Sequence, residues 1–87
     1  MTALEKYAIQ SMAMDLKRVS LAIYNESFPM AEMFLKEAKK RKLEISNIYP
    51  RHIESIFKSI DQIEIKEQRS AEDTMMYSTL LQNFSTN

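Results

Sequence analysis

The chain has no glycine, no cysteine and only two prolines among 87 residues. Without glycine there can be no P-loop, no dinucleotide fingerprint and no nucleophile elbow, because each needs backbone that a Cβ would obstruct. Without cysteine there is no disulfide and no thiolate, which fits a reducing cytosol. One histidine is too few for a zinc centre, and no Glu-x-x-His pair exists for a di-iron bundle. No apolar run approaches the roughly 18 residues that span a bilayer, and no basic stretch followed by an apolar one marks a leader. Charge of a single sign is missing too. Twelve basic and twelve acidic side chains cancel, leaving no overall field to draw in nucleic acid or an anionic membrane. The expectation is one cytoplasmic domain, residues 1–87, with no cofactor and no membrane association.

What is present is helical. Leu, Ile, Lys, Glu and Ala dominate, seven methionines accompany them, and the composition reads all-α. Thr2 and Glu5, three apart, form a capping box that starts a helix over 3–24. Along it Ile9, Met12, Leu16, Val19 and Ile23 recur at alternating spacings of three and four, the stripe of a helix packed along its length. A second row, Tyr7, Met14 and Leu21, projects on roughly the opposite side, with Leu4 between the rows. Asp15 and Arg18 can pair on one flank. Lys6, Gln10, Lys17 and Ser20 form a wet strip on the other. A helix apolar on two sides is either the centre of its own fold or half of a subunit contact. A domain this small buries little more than about 60% of its unfolded surface. With disulfides and metal excluded, oligomerisation is the remaining way to add buried area.

Ser27 as N-cap and Pro29 in the first turn predict a second helix over 28–42. It carries Met30, Phe34 and Ala38 on one row and Ala31 and Leu35 beside it. Leu43 to Tyr49 is too apolar for a free linker and is expected to pack across the end of the bundle. Ile53, Ile56, Ile60 and Ile63, flanked by Phe57, make a two-heptad seam and a third helix over 50–63. Ser70 with Asp73 resembles the cap of a fourth helix over 70–84, bearing Ala71, Thr74, Tyr77, Leu81 and Phe84. No helix breaker separates the last two, so a single bent helix is the other reading. The fold class expected is all-α: an antiparallel, up-down four-helix bundle with a long first helix.

Candidate chemistry is sparse. His52 has no carboxylate placed to orient it as a base, since Glu54 is two positions on and turned elsewhere. Met12, Met30 and Met75 fall on core rows, where thioethers fill gaps. Lys36, Lys39, Lys40, Arg41 and Lys42 form the one charge cluster, a candidate phosphate or nucleic-acid patch. It lacks interleaved aromatics and is surrounded by Glu32, Glu37 and Glu44, so a solvated helix end favoured by the helix dipole is preferred.

The run Asp15-Leu16-Lys17-Arg18-Val19 through Ala31, Phe34, Leu35 and Ala38 resembles the first hairpin of the HEPN family of small helical bundles. The resemblance covers about a third of the chain. It implies a protein that dimerises and acts as a ribonuclease or as the partner of a nucleotidyltransferase. The family's nuclease members carry Arg followed four to six residues later by His. Here Arg51 is adjacent to His52 and Arg41 lies eleven before it, so a non-catalytic relative is implied.

The sequence therefore points to a non-enzymatic interaction or scaffold protein. It is expected to form a homodimer through Tyr7, Met14 and Leu21 and to serve a protein partner the residues do not identify. The alternatives are a small nucleic-acid-associated regulator using Lys36 to Lys42, or a non-catalytic HEPN-like partner. The second apolar row is an interface or is buried within the monomer, and only the fold distinguishes the two.

Overall fold

The computed structural model describes residues 2–45 and 49–86. Among these, four helices follow in order: α1 (Ala3–Tyr24), α2 (Phe28–Leu43), α3 (Arg51–Ile60) and α4 (Arg69–Thr86). The capping box forms, the Glu5 amide donating to Thr2 Oγ1 at 3.1 Å and the Thr2 amide to Glu5 Oε1 at 3.3 Å. α1 ends in a Schellman turn in which Ser27 N–H donates to Ala22 O and Glu26 N–H to Ile23 O. The left-handed position of that turn is usually glycine. Here Glu26 holds it, at φ 58°, because the chain has no glycine to place there.

α1 is the element around which the others pack. α2 lies along one flank and α4 along another, and α3 bridges α2 and α4. The stripe Ile9, Met12, Leu16, Val19 and Ile23 is fully buried and joins Ile53, Ile60 and Leu81 in one core. Small residues set the spacing. Ala13, Ala22, Ala31, Ala38 and Ala71 are all buried, and their lack of bulk lets neighbouring backbones approach. Two serine hydroxyls then bridge α1 and α4: Ser20 Oγ donates to Ala71 O, and Ser78 Oγ to Ala13 O, each at 2.6 Å. Ser20 is thus buried, not part of a wet strip. It lies on the edge of that strip nearest the main stripe, and α4 covers it.

Tyr49 closes one end. Its ring meets Phe57 and Phe84 edge-on, both at 5.7 Å between centroids, and its hydroxyl donates to Glu5 Oε2 at 2.9 Å. Burial and the nearby Glu5 carboxylate push the Tyr49 phenol up to about 12. The expectation that the 43–49 connection packs on the bundle holds for Tyr49 and for half-buried Ile45. It fails for Leu43, which points outward at 83% exposure. Ser46, Asn47 and Ile48 lie outside the described residues.

The last two helices are separate, and their bounds differ from expectation. α3 stops at Ile60, not Ile63, where Gln62 and Ile63 make tight bonds back to Ser59 and Ile60. α4 begins at Arg69, and Ser70 is inside it rather than its cap, its amide donating to Glu67 O. The helix therefore opens on a tight turn. Ser27 caps α2 without a side-chain bond. The radius of gyration, 12.0 Å, is what a folded domain of this length has by size scaling, about 12 Å.

Candidate interaction surface

α2 and α4 cover two flanks of α1, and the side left open forms a ridge. Its crest is Tyr7, Met14 and Leu21, at 62%, 40% and 49% exposure, and Leu4 and Tyr24 near the helix ends are exposed as well. The second row is thus not buried within the monomer. Gln10 and Lys17 fall between the crest residues, so Tyr7, Gln10, Met14, Lys17, Leu21 and Tyr24 recur at alternating spacings of three and four. That is a three-heptad seam with two polar positions.

Two apolar grooves flank the crest at Leu21. On the α4 side a groove of 470 Å³ is lined by Leu21, Tyr24, Ala71 and Met75. On the α2 side a groove of 290 Å³ is lined by Leu21, Ala22, Met30 and Phe34. Met30 was expected on a core row but is 51% exposed, since Ala31 and Leu35 take the inward positions. Arg18 lies over the Phe34 ring at 5.7 Å, and its guanidinium reaches Asp15 Oδ1 at 3.5 Å. Burial raises the Asp15 carboxyl above its usual range against the pull of Arg18. Further along, Tyr7 and Met14 overlook a polar groove of 410 Å³ holding Asp15, Arg18, Glu37 and Arg41. Two acids and two bases make that rim neutral.

The basic run of α2 is divided. Lys42 turns inward, its ammonium donating to Phe57 O at 3.1 Å and pairing with Asp61, and Arg41 reaches Glu44 at 3.5 Å. Lys36 and Lys39 line a separate groove beside Glu32, Glu64 and Ile63, and Lys40 is exposed. The five cations do not converge on one concavity. His52 is exposed, its ring edge-on to Phe84 at 6.5 Å. Among the described residues no group of three or more His, Cys, Asp or Glu is placed to hold a metal. No helix among them is long and apolar enough to cross a membrane.

The crest was legible from periodicity; the grooves were not. Met30, Phe34 and Ala22 become one surface with Leu21 only when α2 folds beside α1, and Ser20 and Met75 meet only through α4. The Tyr24 signal was available, three residues after Leu21 on the same seam. Compared with known protein families, curated proteins and solved structures, the chain gives no significant match.

Proposed function

We propose that this chain is a non-enzymatic interaction or scaffold protein that works as a homodimer of up-down four-helix bundles, joined through Tyr7, Met14 and Leu21. The observation that carries the reading is the ridge: three large apolar side chains at 40–62% exposure on the helix that centres the fold. Large apolar patches on small proteins mark association surfaces. The antiparallel arrangement is supported by the order of contacts. Ser20 meets Ala71 and Ala13 meets Ser78, and Arg18 meets Phe34 while Asp15 feels Glu37 and Arg41.

A second copy suits the ridge. The chain is uncharged overall, so copies do not repel, and the rim beside the crest is balanced in sign. The ridge runs along the first helix, which is about 33 Å long for its 22 residues. The dispersal of Lys36, Lys39, Lys40, Arg41 and Lys42 argues for self-association over nucleic-acid binding. The test is melting at several protein concentrations. A dimer gives a midpoint that rises with concentration by mass action; an unchanged midpoint across a hundredfold range would remove the reading.

A further inference from the structure

We infer that the two copies pair antiparallel about a two-fold axis at Met14, with Tyr7 of each seated in the Leu21/Met30/Phe34 groove of the other. This rests on the homodimer reading and adds its register and its anchor. The ridge is lopsided. Its α1 C-terminal half carries a mostly apolar 290 Å³ groove lined by Leu21, Ala22, Met30 and Phe34 together with Arg18, Asn25 and Ser27. Its N-terminal half offers Tyr7, 62% exposed, beside a polar groove. A two-fold at Met14 brings position 7 of one copy opposite position 21 of the other, so that the projecting ring meets the groove twice, once at each end.

Chemistry matches at both ends of that contact. A tyrosine presents a flat apolar body to Leu21, Phe34 and the Met30 thioether, a favoured sulfur–aromatic neighbour, and keeps its hydroxyl at the wet rim. Tyrosine, with Trp and Arg, is enriched among the residues that dominate interface energetics.

Charge selects the direction. Around the crest, Gln10 and Lys17 lie toward α4, and Ser11 and Arg18 toward α2. A two-fold lying in the interface plane and perpendicular to α1 keeps each flank against its own counterpart. Lys17 then faces Gln10 of the partner subunit, and Arg18 faces Ser11 of the partner subunit. Parallel pairing crosses the flanks and sets Lys17 against Arg18 of the partner subunit on both sides, a like-charge contact that specific interfaces avoid.

The absence of cysteine from the chain makes single-cysteine variants clean probes, and Gln10 and Lys17 are rim positions that leave the anchor intact. The solution mass of the native protein is measured first. Gln10→Cys and Lys17→Cys are then oxidised separately and as an equimolar mixture. The expected result is a dimeric native mass and a disulfide-linked dimer that forms in the mixture and contains one copy of each variant, with neither variant linking to itself. Self-linking of either variant, or no linking in a dimeric protein, overturns the register while the homodimer stands. A monomeric native mass removes the homodimer and the register together. The groove is tested by Met30→Lys against Met33→Lys, both exposed positions on α2 at 51% and 52%. The first should weaken association at least tenfold, as loss of an interface hot spot does, with the helical circular dichroism kept, and the second should leave it within about twofold. Equal effects overturn the groove assignment.

Discussion

α1 has two apolar faces built from similar residues, and they end in different surroundings. Ile9, Met12, Leu16 and Val19 are wholly buried, whereas Tyr7, Met14 and Leu21 keep 40–62% of their surface. Hydrophobicity alone does not separate them. The small residues beside each face do. Ala13 and Ser20 stand toward α4 and Ala22 toward α2, all buried, and they let those helices close over the inner stripe. The outer crest is flanked by Gln10, Lys17 and Arg18, of which Lys17 and Arg18 are exposed. What covers the inner face is the chain itself; the outer face stays exposed, and it is this face that we propose a second copy covers.

The sharpest break of that contrast comes from matched truncations. Leu16→Ala should lower unfolding free energy by about 2–5 kcal/mol in urea titrations, the range for a leucine removed from a close-packed core. Leu21→Ala, in protein dilute enough to be monomeric, should change it by less than about 0.5 kcal/mol, as surface substitutions do. Comparable losses at the two positions would mean that the crest is part of the folding core.

Tyr49, packed at one end of the bundle, gives the folded chain an alkaline pH signature. Below pH 10 the Tyr49 phenol is protonated in both folded and unfolded chains. Above it the unfolded chain releases the proton, while the folded one holds it up to about 12. Stability should therefore fall as pH rises through that window, by roughly 2–3 kcal/mol when complete. The difference between native protein and Tyr49→Phe across pH 9 to 12 isolates this loss, and equal alkaline slopes for the two would contradict it.

Smaller effects probe the close approach of α1 and α4. Ser20→Ala and Ser78→Ala should each cost about 0.5–1.5 kcal/mol, the net contribution of one buried hydrogen bond, in chemical denaturation. Smaller still and opposite in sign, Glu26→Gly should raise stability by up to about 1 kcal/mol, because a side chain at positive φ is strained where glycine is not. A loss on that substitution would mean that the Glu26 side chain contributes more than its backbone strain costs.

Much of this was legible in the residues. The capping box of Thr2 and Glu5, the full extent of α1 and its two rows follow from spacing and side-chain chemistry. Other features depend on neighbours that local pattern does not specify. Ser20 reads as polar, and its burial comes from Ser78 and Ala71 arriving with α4. The left-handed turn at Glu26 carries no glycine to announce it. Ile63 continues an apolar period that the backbone abandons after Ile60. The Leu21/Met30/Phe34 groove combines two helices, so neither helix's periodicity reveals it.

The most direct test of the contrast between the faces of α1 is the solution mass, by light scattering coupled to gel filtration, of the native chain and of Tyr7→Glu/Leu21→Glu. The outer face as a self-association surface predicts about twice the 10.2 kDa chain mass for the native protein and the single-chain mass for a double variant that keeps its helical circular dichroism. A native protein that runs as a folded monomer at micromolar concentration would contradict it.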